Sequence, residues 1–244
     1  ASALPENQAK ISKLSFSGQE GDTGTFNIQL KRKPKSNVTL EFINGQYLTV
    51  DADNDLFTGT QDKIVFTPGN WNKPRKVSFI AELDGVKSNR KSGNTIDYAV
   101  SGGMKGGGSY NLGTVANTYA PDNKNFNIDL DFRNDYLGFW TPERQKIAQQ
   151  AADDWARWID DEYKGSHLAN KEIRYVVTEQ TKPFKVNRFV DDLVIFVNAY
   201  GKDNGWAGEY AGRTISLNTS DDVSDDSIYS IMAHEIGHGI GLLG

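Results

Sequence analysis

His234 and His238, with Glu235 between them, stand at a spacing that could do chemistry. Two histidines four apart on a helix are turned roughly 40° from one another, so both imidazoles can face one ion. Tetrahedral zinc needs that spacing, and the glutamate beside the first histidine is placed to take a proton from water at the metal. Glu235 lies roughly 100° off the histidine face of such a helix, which suits a proton carrier and not a ligand. The chain contains only three histidines, and two of them occupy this motif. That weighs against an incidental pair on a solvated helix. The third, His167 in Lys164-Gly-Ser-His-Leu168, reads as a solvated turn residue.

The motif extends to His234-Glu-Ile-Gly-His-Gly-Ile-Gly241, and in that form it resembles the metzincin zinc metalloproteases. Their pattern places a glycine three residues past the second histidine, where the helix must end. Gly241 stands there, and glycine tolerates the positive φ such a turn requires. The wording Ala233-His-Glu-Ile-Gly-His is similar to the leishmanolysin-like branch, whose third ligand follows an insertion. The chain departs from the family where Gly244 holds the usual place of a third ligand, and neither Met104 nor Met232 follows the motif as a Met-turn would. The resemblance implies a secreted zinc endopeptidase acting on polypeptides. His234 and His238 would hold the metal and Glu235 would act as general base. It further implies that a C-terminal segment of the same protein, missing from this sequence, supplies the remaining ligand and the cleft floor. Residues 1–244 alone are then expected to be inactive. They are also expected to self-associate, because Ile228, Ile231, Met232, Ile236 and Ile240 cannot all face one sheet. A rival expectation is a non-catalytic extracellular surface or filament protein of β-modules with a degenerate protease-like domain.

Composition bounds these readings. A length of 244 residues fits one large or two ordinary domains, and 24 glycines with 11% aromatics suit a loop-rich, partly β protein. Without cysteine there are no disulfides and no thiolate sites. No apolar run approaches the ~18 residues of a membrane span. Residues 1–120 carry 14 basic and 11 acidic side chains, net +3, whereas residues 121–244 carry 13 and 21, net −8. An acidic half argues against nucleic acid and anionic membrane as partners. Ala1-Ser-Ala-Leu-Pro5 lacks the regions of a signal peptide, so an extracellular or cell-surface location rests on the resemblance alone.

The elements that must position the motif read as two domains, 1–120 and 121–244. In the first, Ile11–Phe16, Gly24–Leu30, Val38–Phe42, Lys63–Phe66, Lys76–Ala81, Thr95–Val100 and Leu112–Val115 alternate apolar and polar residues between turn signals, which predicts an antiparallel β-sandwich. Phe66-Thr-Pro-Gly-Asn-Trp71-Asn-Lys-Pro74 resembles Calx-beta-like modules, with Trp71 as a core residue at the sandwich end. That resemblance implies calcium for the acidic set Asp51, Asp53, Asp55, Glu82 and Asp84, with Glu20 elsewhere in the sequence; solvated Asx-turns are the alternative. The glycine-rich Ser101–Ser109 reads as a flexible hairpin connection, and Asn117–Asn125 as the linker.

In the second domain Phe126–Phe132 reads as a strand, and Thr141-Pro142 opens a helix with an N-cap and an N1 proline. Ile147, Ala151, Trp155, Ile159 and Tyr163 form its apolar stripe, and Trp155 and Trp158 read as core. Strands are predicted at Ile173–Val177, Asp192–Val197 and Arg213–Leu217. The order is similar to the N-terminal lobe of a metzincin: a twisted mixed sheet with a long helix and an active-site helix. The fold class is then a β-sandwich followed by an α+β catalytic domain. The cleft-bordering edge strand is expected to be Asp192–Val197 or the strand ending at Leu217. The glycine-rich Tyr200–Gly212 loop is expected to approach the cleft. Asp221–Asp226 reads as capping for the motif helix, with a calcium loop as the alternative.

Overall fold

The computed structural model describes residues 8–12, 16–91, 93–117, 125–161, 163–175, 182–202, 205–220 and 223–242. Among them the chain is mostly β, with two α-helices. Neither helix is long and apolar enough to cross a membrane.

The described residues between 8 and 117 hold eight strands: β1 (Ala9–Ile11), β2 (Thr23–Leu30), β3 (Val38–Ile43), β4 (Leu48–Asp51), β5 (Lys63–Phe66), β6 (Arg75–Ala81), β7 (Thr95–Gly102) and β8 (Gly106–Asn111). They form two antiparallel four-stranded sheets, ordered β1-β2-β6-β4 and β5-β3-β7-β8. Alternation decides the packing: Phe26, Ile28 and Leu30 on β2 and Val38, Leu40 and Phe42 on β3 are buried in one shared core. Phe26 meets Phe42 edge-on across the two sheets, with ring centroids 5.9 Å apart. Trp71 packs against this core as expected, and its carbonyl accepts from Leu30 N at 2.9 Å.

Two local readings are corrected here. Ser101–Ser109 does carry a hairpin connection, but that connection is shorter than expected, since the second half of the segment begins β8, paired along β7 from Val100↔Gly106 to Thr95↔Asn111. The glycines are there because Tyr98 crosses this strand: a Cβ on Gly108 would lie 2.5 Å from the Tyr98 hydroxyl, and one on Gly107 2.6 Å from its carbonyl oxygen. β4 carries no predicted strand, and Leu112–Val115 supplies only a single bridge, Val115 to Arg90. The predicted strand Ile11–Phe16 lies partly outside the described residues.

Residues 125–242 add β9 (Ile128–Asp131), α1 (Pro142–Ala156), β10 (Ser166–His167), β11 (Lys171–Ile173), β12 (Phe184–Val186), β13 (Phe189–Val190), β14 (Leu193–Tyr200), β15 (Gly208–Ala211), β16 (Thr214–Asn218) and α2 (Asp225–Gly239). The central sheet runs β15-β16-β14-β9, with β9, β14 and β16 parallel and β15 antiparallel. Both faces of β14 are covered, which is why Leu193–Val197 reads as an unbroken apolar run. Ile195, Val197 and Ala199 meet the layer of α1 and α2; Val194 and Phe196 meet the core of the β11–β12 hairpin.

Helix α1 starts as predicted: Thr141 caps it by accepting from Arg144 N at 3.4 Å, and Pro142 opens it. It ends at Ala156, earlier than the apolar stripe implied. Ile159 and Tyr163 therefore lie beyond it, and Trp158 is 84% exposed where a core position was expected. Buried Ala148, Ala151 and Ala152 give α1 a flat side on which α2 lies, and Trp155 Nε1 donates to Ala233 O at 2.7 Å. This also corrects the expectation of a bare motif helix. Ile228, Met232 and Ile236 are fully buried, and Ile231 and Ile240 are half-buried, because a helix and a sheet cover different sides.

The two cores meet through charge. Glu82, just past β6 and 0% exposed, takes both guanidinium nitrogens of Arg133 at 2.6 and 2.9 Å and the Thr49 hydroxyl at 2.6 Å. Arg133 also pairs with Asp131 of β9, which pairs with Arg188, which reaches Asp129. Burial alone would raise the Asp131 carboxyl; Arg133 and Arg188 more than reverse this and hold it well below the usual carboxylate range. Lys185 reaches Asp62 at 2.8 Å, and Phe189 N donates to Leu83 O at 2.8 Å. His167, predicted as a solvated turn residue, sits in β10 with its ring 4.5 Å from that of Tyr47.

Candidate metal centre

Local sequence explains why the motif is helical. Ser224 caps α2 by accepting from Ser227 N at 3.3 Å, and Asp225 and Asp226 occupy the first turn, where acidic groups favour the helix N-terminus. The capping reading of that acidic stretch thus fits Ser224–Asp226, while Asp221 and Asp222 lie outside the described residues. At the other end Gly241 adopts φ +78°, with Gly241 N bonded to His238 O and Leu242 N to Gly237 O, both at 3.0 Å. This is a Schellman stop, and it is the turn the motif's last glycine predicted.

Between these caps, His234 and His238 bring their Nε2 atoms to 3.2 Å, with the ring planes 86° apart. Two basic nitrogens converging in this way fit a shared cation. Histidine nitrogens at tetrahedral zinc, each bound at about 2.0–2.1 Å, stand about 3.3 Å apart. Glu235 points elsewhere. It is 6% exposed and tucked against β15, where a Cβ on Gly208 would lie 3.2 Å from its Oε1 and 2.8 Å from Ile231 Cγ2. Burial raises the Glu235 carboxyl, the two imidazoles and the Tyr210 backbone N–H pull it down, and Glu209 pushes it up.

The cleft beside these groups has a volume of about 490 Å³ and is lined by Trp206, Gly208, Glu209, Tyr210, His234, Glu235 and His238. Its wall overturns the expected edge. Of Asp192–Val197, all but Asp192 lies in β14, and Leu217 lies in β16, both interior; the edge on this side is β15, inside the segment expected to be a loop approaching the cleft. A readable signal was present in Gly212-Arg213, a two-residue hairpin turn joining Ala211 to Thr214, with Gly212 at φ +65°. Asn218 N donates to Ala207 O at 2.9 Å, which makes that pair a bonded rung. By alternation, Gly208 and Tyr210 turn their main-chain groups away from β16 and toward the open side. The Tyr210 ring in turn lies over Gly239, where a Cβ would come within 2.9 Å of it.

The acidic set read for calcium falls into three settings. Asp51 accepts from Gln61 N, Asp53 from Asp55 N and the Thr58 hydroxyl, and Asp55 caps the short turn Leu56–Thr58. Glu82 faces Arg133, and Asp84 and Glu20 lie 3.6 and 3.7 Å from Arg90. Among the described residues no three His, Cys, Asp or Glu side chains converge as a metal-holding group, at these positions or around the histidine pair. Comparison with protein-family models, curated proteins and solved structures gave no match to this chain.

Proposed function

We propose that this chain is part of a secreted or cell-surface zinc-dependent endopeptidase of metzincin type. The observation that carries the reading is the pair of imidazole nitrogens 3.2 Å apart beside a buried glutamate, in a cleft walled by an edge strand. His234 and His238 would hold the ion through Nε2, and the resemblance calls for a third protein donor besides them. When bound, zinc supplies Lewis acidity, polarising a carbonyl and acidifying a water molecule.

The chain's own groups account for the rest. The outward main-chain groups of Gly208 and the outward carbonyl of Tyr210 can bind an extended peptide as an added strand, which fixes one peptide bond over the cleft, while the Tyr210 N–H serves Glu235. Glu235 is held by Gly208 and Tyr210 on the inner side of the histidine pair. It takes the proton from the attacking water and delivers it to the leaving amine nitrogen. Its burial keeps bulk water from competing for that proton.

The test uses the purified full-length protein and an unstructured protein substrate, with and without chelator. Glu235→Ala should lower hydrolysis by about 10²–10⁴-fold while leaving zinc content and thermal unfolding near the parent's. His238→Ala should lower zinc content. Chelator-insensitive cleavage, or activity of Glu235→Ala within about tenfold of the parent, would refute the assignment. A zinc-free, inactive full-length protein would instead favour a non-catalytic protein of β-modules.

A further inference from the structure

Trp206 is the largest side chain lining the cleft and is 67% exposed. Most of the indole surface is solvent-accessible, so it can gain burial from a side chain bound in the cleft. Its backbone is held firmly nonetheless. The buried Asn218 side chain donates Nδ2 to Trp206 O at 2.8 Å and to Lys202 O at 2.7 Å, while Asn218 N holds Ala207 O. The end of β16 thus fixes the main chain that carries the ring at the mouth of the cleft. Two residues on, Gly208 offers no side chain to cover it.

We propose that Trp206 is a specificity-determining platform that selects peptides with a large apolar or aromatic side chain on the C-terminal side of the cleaved bond. The inference rests on the endopeptidase reading above. Glu235 abuts Gly208 and Tyr210, so the reacting bond lies opposite that stretch of β15. Trp206 lies two residues before Gly208, just outside β15, with its carbonyl tied to the Asn218 side chain. Antiparallel pairing, the more stable ladder, runs the substrate opposite to β15. Residues after the cut then lie toward Trp206, and the second or third of them meets the indole face.

Binding and cleavage are measured separately. The binding probe is a pair of matched unstructured peptides, with Phe or Gly at the second and third positions after the cut. Their affinities are compared on the zinc-loaded Glu235→Gln protein by fluorescence anisotropy, and cleavage-site profiles are taken on the parent. The Phe peptide should bind about tenfold more tightly, as one buried aromatic contact allows. Adding Trp206→Ala should collapse that ratio toward one, and Trp206→Phe should restore most of it. Equal binding of the two peptides, a ratio unchanged by Trp206→Ala, or a preference confined to the N-terminal side would overturn the platform while leaving the protease reading intact. Failure of the parent to cleave, together with failure of any variant to bind either peptide, would overturn both.

Discussion

Asp51 shows how much a single side chain's setting outweighs its type. Its carboxyl is pushed up from 3.8 to about 7 by burial, with the Gln61 N–H pulling it down and Asp53 beside it pushing up again. The folded state therefore holds this proton more tightly than the unfolded chain does. The resulting stability is fully present below about pH 4 and is lost as pH rises through about 7. In chelator, the thermal midpoint should fall between pH 5 and pH 8, and Asp51→Asn should make that fall shallower. Parallel pH profiles for the two proteins would show that Asp51 titrates normally. Glu20, raised to about 7 by burial and then by Asp84, adds to the same slope. Asx-turn chemistry was legible at Asp53 and Asp55, because it spans only a few residues; the burial of Asp51 was not.

Among the elements, the approach of β15 to α2 is the one on which the site depends. Gly208 permits it, since any side chain there would press on Ile231 and Glu235. Gly208→Val should lower hydrolysis at least tenfold while costing about 1–3 kcal/mol of stability, the usual range for overpacking; Gly208→Ala should fall between valine and the parent. Parental activity in Gly208→Val would mean that the strand does not set the glutamate's position. The helix itself was readable from sequence, because its cap at Ser224, its acidic first turn and its stop at Gly241 are all local. The edge strand was harder to read. Four residues, one buried and three half-buried, leave little hydrophobic alternation, and only the Gly212-Arg213 turn marks the hairpin.

For the molecule as a whole, the buried Glu82–Arg133–Asp131–Arg188 network ties the two cores together. Removing one partner of such a pair strands the other charge in a dry setting, at about 3–5 kcal/mol. Arg133→Met should therefore destabilise by about that amount, and Glu82→Gln added to Arg133→Met should recover part of it. With the junction intact, calorimetry should give a single cooperative transition for both cores; Arg133→Met should separate it into two. Independent unfolding of the parent's two halves would show that the junction does not couple them. Glu82 belongs to the acidic set for which the Calx-beta resemblance implies calcium; Arg133, which it meets in the fold, lies 51 residues away.

The sequence by itself determined the motif helix and its caps, the N-cap and proline of α1, the alternating strands β2, β3 and β6, and the two histidines with their glutamate. Each rests on periodicity or on contacts within a few residues, where side-chain type and spacing suffice. Tertiary structure decided which strand is the edge, where α1 stops shielding Trp158, why the glycine tract of β8 pairs with β7, and which carboxylates face arginine. Those outcomes depend on partners brought together across the chain, as Gly208 meets Glu235 and Tyr98 meets Gly108. Composition at one end of such a contact carries no record of what lies at the other.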